Sequence, residues 1–534
     1  MNVAALAAGL ERSRIDGDPD VDIGSLACST RDVAPGSLFF CIPGLKADGH
    51  DFAAEAVTAG AVALVCERPL PLPVTQVVVP RARHAMALMS ARFFGQPTRE
   101  LRVVAVTGTN GKTTTAHLLA EVFATAGLRP ALLGTVVNRI AGVERPTTLT
   151  TADSIELQRM FREMVDGGDR SCVMEASSHA LALERTTGIV FESVVFTNLS
   201  RDHLDFHATL DDYFAAKRSL FLPDERPRPG TTAVVNAGDE YGHRLIDDCR
   251  EPYGADLWTY ALEGEAPGAP DEVDCLAVDL VLTAERSSFT LVSPRLALRE
   301  SLQIETPARF NVANALAAAT VALAMGLPLE TVRRGLAGAA GVPGRVEPVR
   351  SGQPFAVLVD YSHTPDSLAS VLRAVRPVTA GRLLAVFGCG GDRDRGKRPL
   401  MGAVAADLAD LAVVTSDNPR GEDPLTIIAE VLSGIPGADR ERVVVEPDRR
   451  AAIRLALREA GAGDALVIAG KGHETYQILG PETIHFDDCE VAAAELAELG
   501  YASAAGGPCG EAGEAGEARD ARDAGEAGDA EGGA

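Results

Sequence analysis

The chain is short of positive charge. Its 50 Lys and Arg face 75 Asp and Glu, a formal net charge of −25 at pH 7. A phosphate polymer would be repelled by such a surface, so no nucleic-acid partner is expected. The nine cysteines form no Cys-x-x-Cys pair and no cluster with histidine at zinc spacing. That leaves scattered thiols of the kind expected in a reduced, cytoplasmic protein. No apolar run approaches the ~18 residues of a membrane span. Residues 1–12 lack a basic lead and hold only a short apolar patch before Glu11, so neither a signal peptide nor membrane insertion is expected. From Ala504 onward large apolar residues are almost absent, and a Gly/Ala/Glu/Asp repeat with eight acids and two arginines supplies −6 of the charge. Such a segment cannot bury a core, and 504–534 is expected to be a disordered acidic tail.

The remaining composition, 46% apolar and 23% charged, is that of an ordinary soluble globular protein. At 534 residues the chain is too long for one core, and three domains are expected. Alternating short strands and helices make the fold class α/β. The pattern is organised around Val103–Thr115, an apolar β-branched run that breaks into Gly108-Thr109-Asn110-Gly111-Lys112-Thr113-Thr114 and then becomes a helix over 116–126. This reads as strand, phosphate loop, helix. Loop glycines let main-chain N–H groups close around phosphate oxygens, Lys112 adds a point charge, and Thr113 offers a hydroxyl to a phosphate-bound magnesium. Val106 stands where the usual loop has its first glycine, so the loop is a variant.

Before it, Cys28-Ser29-Thr30-Arg31 is either a solvated turn or a turn that binds a nucleotide or sugar. After it, the hydroxyl-rich Thr147–Asp153, with Thr148, Thr150 and Thr151, precedes a helix over 154–165. It offers donors to an anionic or sugar ligand, although capping alone explains Asp153. Cys172–Glu175 is a strand ending in an acid, the place for a magnesium-binding carboxylate beside a phosphate loop. Two histidines and two acids, Asp202, His203, Asp205 and His207, follow the strand Ser193–Leu199 and suggest a ligand site. Lys217, on a helix with Tyr213 and Phe214, reads from pattern alone as a solvated surface lysine. Asn311 and Asn314 share a helix face and suit either capping or an adenine contact.

Glycine and proline around 341–347 mark a boundary. Beyond it four strands each run into a polar cluster: Asp360-Tyr361-Ser362-His363, Gly388–Asp394, Ser416-Asp417-Asn418-Pro419-Arg420 and Gly470-Lys471-Gly472-His473-Glu474. Ligands of an open parallel sheet bind at the carboxyl ends of its strands, so the four clusters predict one binding face.

Four motifs, Thr107–Thr114, Glu175–His179, Asn198–Asp205 and Asp360–Pro365, together resemble the Mur ligase family, in order and over residues 20–500. The resemblance implies an N-terminal domain for the UDP part of the substrate (1–99), a central P-loop ATPase domain with a mainly parallel sheet (100–342), and a C-terminal Rossmann-like domain that brings the incoming amino acid (343–503). It implies an ATP-dependent carboxylate–amine ligase with ATP and Mg2+. UDP-N-acetylmuramoyl-L-alanyl-D-glutamate and meso-2,6-diaminopimelate are the implied substrates, in peptidoglycan precursor synthesis, and a monomer is expected. By the same resemblance Lys112, Lys217 and His203 serve catalysis. One metal lies near Thr113 and Glu175 and a second near His203, with Lys217 carbamylated. Asn311, Arg345, Asp360 and His363 face the nucleotide. Ser29, Thr30, Thr150, Thr151, Ser177 and Arg185 hold the UDP-sugar peptide. Arg393, Asp417, Asn418, Pro419, Arg420, Gly470 and Glu474 hold the amino acid. Two departures touch the UDP contacts: Ser29-Thr30-Arg31 replaces a frequent Asp-Ser-Arg, and Leu183 stands where some members have glutamine. The alternatives are a lysine-adding ligase of the family, a folylpolyglutamate-synthase-like ligase, and a P-loop kinase or NTPase.

Overall fold

The computed structural model describes residues 1–44, 47–147, 149–204, 206–225, 229–265, 273–283 and 286–501. Thr148, Asp205 and the acidic tail expected over 504–534 lie outside the described residues. The chain divides into two compact units: Met1–Val278 with Leu291–Glu300 and Asn314–Leu336, and Asp279–Thr290 with Ser301–Ala313 and the chain from Ala337 onward.

The first unit holds two sheets. The smaller runs Arg14–Asp16, Thr75–Val78, Ala61–Cys66, Ser37–Phe40, Ser25–Ala27, parallel except for its first strand. The larger contains, side by side and parallel, Leu257–Leu262, Thr232–Asn236, Ser193–Phe196, Arg102–Thr107, Ser171–Glu175 and Pro130–Leu133. Parallel strands covered on both faces need apolar side chains on both, and Val103, Val104, Ala105 and Val106 are all fully buried. A valine buried in this way contributes about 1.5–3 kcal/mol. Val106 is therefore a strand residue, and the phosphate loop begins two residues later than in the usual form. The helix after the loop spans Lys112–Thr125, so Lys112 and Thr113 occupy its first turn, earlier than the predicted start at 116.

The second unit is a six-stranded sheet, Glu347–Pro348, Ala356–Asp360, Ala465–Ala469, Leu383–Phe387, Leu411–Val414, Val443–Val445, parallel apart from the first strand. Side chains alternate between two cores. Leu383, Ala385 and Phe387 pack with the helices Pro365–Val375, Lys397–Leu408 and Pro424–Ser433, while Leu384 and Val386 pack with Arg449–Glu459 and Asp488–Glu498. Asp360 pairs with Ala469, and Phe387 with Val414, so the carboxyl ends of the four inner strands finish level with one another. The four polar clusters follow those ends, as the sequence pattern predicts.

Among the described residues no helix is long and apolar enough to cross a membrane, and the eight described cysteines are free.

Candidate functional site

In the first unit the loop is held from one side by the segment after the strand Ser193–Phe196. Thr109 N donates to Asn198 O (2.8 Å), Asn110 N to Asn198 Oδ1 (3.0 Å) and Ser200 N to Thr109 Oγ1 (3.0 Å). Gly108 (φ 152°) and Gly111 (φ 83°) have backbone conformations that favour glycine, and a Cβ would strike Thr197 Oγ1 at the first and Asn314 Oδ1 at the second. The loop is thus shaped by contacts far apart in sequence. Lys112 Nζ folds back onto the Gly108 and Thr109 carbonyls (2.9 and 2.7 Å). Thr114 is buried in the first helical turn, and Asn110 is exposed.

Glu175 ends the neighbouring strand, and Oε2 accepts a hydrogen bond from Thr113 Oγ1 (3.0 Å). Thr135 N and Oγ1 also donate to the Glu175 carboxylate (2.7 and 3.1 Å), and Thr135 Oγ1 lies 3.1 Å from Thr150 Oγ1. Thr151 Oγ1 donates to Glu175 O (2.8 Å) and accepts from Ser177 N (3.1 Å), while Arg185 Nη1 donates to Thr151 O (2.9 Å). Thr113, Thr150, Thr151, Glu175, Ser177 and Arg185, dispersed over 73 positions of the sequence, therefore form one polar surface beside the loop. Ser29 caps the turn Thr30–Asp32 by accepting from Arg31 N (3.3 Å), and neither Ser29 nor Thr30 shares a hydrogen bond with that surface among the described residues.

Lys217 is not a surface lysine. It is 1% exposed, its Nζ donates to Gly108 O (2.8 Å), and it lies 4.4 Å from the centre of the Tyr213 ring. The surface reading fails because Tyr213 and Phe214, four and three residues earlier, put position 217 on the buried face of the helix Leu210–Arg218. Burial, then the nearby Lys112 charge, pushes the Lys217 pKa well below the lysine range. The Tyr213 hydroxyl meets Thr109 Oγ1 (3.1 Å), closing a path from Lys217 to the loop. His203 stands near Tyr213 and His179, with ring centres 6.0 and 4.9 Å away, and its pKa is lowered by burial although Asp202 opposes the shift. His207 Nε2 is buried with no hydrogen-bond partner. Among the described residues no three His, Cys, Asp or Glu converge as a metal site.

In the second unit, Asp360 is buried and accepts from Val346 N (2.9 Å), Ser362 N (2.9 Å) and the Ser362 hydroxyl. Burial raises its pKa despite those bonds. The Arg345 guanidinium lies 5.1 Å from the Tyr361 ring centre, and His363 and His473 pack on Tyr361 at 4.6 and 4.8 Å. Burial lowers the pKa of His363, and that of His473 falls to about 4. Arg345 Nε and His473 Nδ1 are buried without partners, which in a native fold calls for an absent polar ligand or water. Asn311 Nδ2 donates to Pro307 O (2.8 Å), a bond to a carbonyl that caps no helical N–H, whereas Asn314 packs against the loop in the first unit.

The remaining clusters interlock. Asn418 Nδ2 donates to Glu474 Oε2 (2.8 Å), and Asn418 Oδ1 accepts from Lys471 Nζ (3.3 Å) and Ile478 N (3.0 Å), which fixes the orientation of its amide. Asp417 is buried beside them, and burial followed by Asp417 raises the Glu474 pKa. Gly470 N donates to Asp360 O (3.1 Å), bringing two strand ends together. Arg420 Nη1, on the residue after Pro419, donates to Gly391 O (3.0 Å), and Arg393 is exposed on the same loop as Gly391.

Lys471 and His473 are participants that the motif reading left without a role. One signal was available for the lysine: of the 50 basic residues only five are lysines, Lys46, Lys112, Lys217, Lys397 and Lys471. Where arginine serves nearly everywhere, the few lysines are the candidates for positions that use a compact ammonium or a removable proton.

Three family models match the chain: "Mur ligase family, catalytic domain" over 22–94, "Mur ligase middle domain" over 106–322 and "Mur ligase, glutamate ligase domain" over 344–472. UDP-N-acetylmuramoyl-L-alanyl-D-glutamate–2,6-diaminopimelate ligases are similar over nearly their whole length. That of Geobacillus thermodenitrificans is 45% identical, covering 90% of this chain and 96% of the relative, and that of Solibacter usitatus is 46% identical, covering 90% and 94%. A solved structure of a ligase of that name matches with a TM-score of 0.69 at 34% identity, over 94% of this chain and 99% of the other. Folylpolyglutamate synthase of Mycobacterium tuberculosis, at 17% identity and a TM-score of 0.54 over 77% of this chain and 93% of the other, shares the fold.

Proposed function

Because this chain belongs to the Mur ligase family, we propose that it is the ATP-dependent ligase joining meso-2,6-diaminopimelate to UDP-N-acetylmuramoyl-L-alanyl-D-glutamate during peptidoglycan precursor synthesis. The full-length likeness to diaminopimelate ligases carries this reading. A carboxylate is a poor electrophile. The D-glutamyl side-chain carboxylate therefore takes the γ-phosphoryl group of ATP, releasing ADP. The amine of diaminopimelate then attacks the acyl phosphate, expelling phosphate and losing a proton as the amide forms. Two anions meet in the first step, and Lys112 in the first turn of the loop helix supplies positive charge where the phosphates lie.

The oxygen donors at Thr113 and Glu175, 3.0 Å apart and buried, suit magnesium, which takes hard oxygen ligands and keeps substrate phosphates as others. They would hold one ion, and His203 with Lys217 a second. Bound there, magnesium would supply neutralisation of phosphate charge. Lys217 fits the carbamylated role because its amine is held toward the neutral form: the free amine adds to carbon dioxide and loses a proton, becoming an anion. Thr150, Thr151, Ser177 and Arg185, with Ser29 and Thr30, would hold the UDP-sugar peptide in the region assigned to 1–99 and the adjoining part of 100–342. Asn311, Arg345, Asp360 and His363 would face the nucleotide, where the orphaned Arg345 Nε offers a donor. The domain of 343–503 would present Arg393, Asp417, Asn418, Pro419, Arg420, Gly470 and Glu474 to the amino acid. The enzyme acts as a cytoplasmic monomer in this reading.

The protein is incubated with ATP, magnesium, the UDP-muramoyl dipeptide and either diaminopimelate or lysine, and the product is identified by mass. The expected product carries one diaminopimelate. ATP hydrolysis without ligation would favour a P-loop NTPase, and equal use of lysine would overturn the choice of amine.

A further inference from the structure

Arg398 has no side-chain surface in solvent, and inside the second unit both terminal nitrogens of its guanidinium are ion-paired while Nε is buried without a partner. Nη1 and Nη2 reach both oxygens of Glu422 (2.9 and 2.7 Å), Nη1 also reaches Glu430 (2.7 Å), and Nη2 donates to Gly390 O (3.1 Å). Glu422 uses Oε1 a second time, accepting from Asp392 N (2.6 Å), and Asp392 Oδ2 accepts in turn from Gly421 N (2.9 Å). The loop that follows Pro419 is therefore tied to the Gly388–Asp394 loop directly by the two Asp392 bonds, and indirectly through Arg398 in the first turn of the helix Lys397–Leu408, which holds Glu422 on one side and Gly390 O on the other. Between the ties, Asp392 (φ 53°) and Arg420 (φ 51°) have left-handed backbones. That conformation costs an arginine more than an aspartate, so at Arg420 it is held by surrounding contacts. The Arg420 guanidinium then comes to rest on Gly391 O (3.0 Å).

We propose that the Arg398–Glu422 clasp is a positioning device for amine selection, fixing where the Arg420 guanidinium meets the far carboxylate of the incoming amino acid. This rests on the reading of Arg420 as that carboxylate's partner. Neither Arg398 nor Glu422 touches substrate. The pair sets the relative height of two loops, and a planar guanidinium that must meet a carboxylate by two parallel hydrogen bonds tolerates little displacement.

The test compares wild type, Arg420→Ala, Glu422→Gln and Arg398→Lys by separate KM measurements for diaminopimelate and ATP, and by the preference for diaminopimelate over lysine. The double variant Arg398→Met with Glu422→Gln removes both charges together and serves if a single variant fails to fold, since an unpaired buried charge is costlier than a missing pair. Glu422→Gln is expected to raise the diaminopimelate KM about 10- to 100-fold, the scale of an ångström-size misplacement, with ATP KM changed less than about twofold. The preference over lysine should fall by a similar factor, and Arg398→Lys, which keeps the charge facing Glu422 but loses the fork, should show a smaller loss of both. A folded variant with an unchanged diaminopimelate KM and preference overturns the clasp, and so does one in which every kinetic constant moves alike. Wild type that does not ligate diaminopimelate, or an Arg420→Ala enzyme with an intact preference, overturns the underlying reading instead.

Discussion

The two units treat buried cations in opposite ways. In the first, Lys217 is buried with a carbonyl and a ring for neighbours and, among the described residues, no ion pair. In the second, Arg449 is equally buried, yet it meets Asp488 through two nitrogens (2.7 and 2.6 Å) and donates to Ser416 O and Ala469 O at two strand ends. Burial works against the Arg449 charge, but Asp488, with Asp417 and Glu474 behind it, holds the charge and the pKa rises. Lys471 has Glu474 at 3.2 Å. A paired interior cation is locked and can only hold other groups in place. An unpaired one surrenders its proton more easily, and the free amine is available for chemistry. The first unit accordingly holds a buried lysine without an acid partner among the described residues, and the second holds buried cations fixed by carboxylates.

The most severe way to disturb this contrast is at the loop itself. Lys112→Ala should abolish ligation, a loss of about 10³ or more, while circular dichroism and melting temperature stay close to wild type, because the lost contact is to transferring phosphate and not to the core. Product formation by a folded variant at the wild-type rate would remove the loop from the mechanism.

Next comes the buried lysine. Lys217→Ala should leave about one hundredth of the activity or less, the scale of losing one electrostatic partner of a reacting group. Added short carboxylates should restore part of it by standing in for the carbamate. In wild type, carbon-13 dioxide should label the protein in a resonance that Lys217→Ala lacks. Full activity in the variant would erase the difference between the two kinds of buried cation.

A narrower effect is expected in the second unit. Arg420→Ala should weaken diaminopimelate binding while the KM for ATP changes little. In wild type, lysine should be rejected by roughly 10⁴, because a bound lysine leaves a desolvated guanidinium without its carboxylate. An amine preference that survives the substitution would move specificity elsewhere in the strand-end clusters.

The smallest effect belongs to the acidic repeat. Truncation after Ala504 should leave activity and melting temperature nearly unchanged, since its composition contributes no core. A drop of several degrees would show that the repeat docks.

How far the site is legible depends on whether its determinants are contiguous. The phosphate loop, the acid at 175 and the four strand-end clusters can be read directly, because an apolar run that stops at a polar motif is a local signal. Local pattern makes Lys217 read as solvated, because a helical lysine looks exposed unless its i, i+4 relation to Tyr213 is weighed against the whole helix. Lys471 carries no motif signal of its own because its role is internal, orienting Asn418 and Glu474 instead of pointing outward. The scarcity of lysine in an arginine-rich chain was the available clue to both.

The sequence by itself determined the α/β class, the place of the glycine loop between strand and helix, and the polar clusters at the strand ends, since these follow from periodicity and from residue types with few conformational alternatives. Tertiary structure alone decided which cations lose their water and which of those find a carboxylate. That outcome depends on partners 39 residues apart for Arg449 and Asp488, and 109 apart for Lys217 and the Gly108 carbonyl. Desolvation and pairing are properties of the packed interior, and no stretch of sequence carries them until the chain has closed around it.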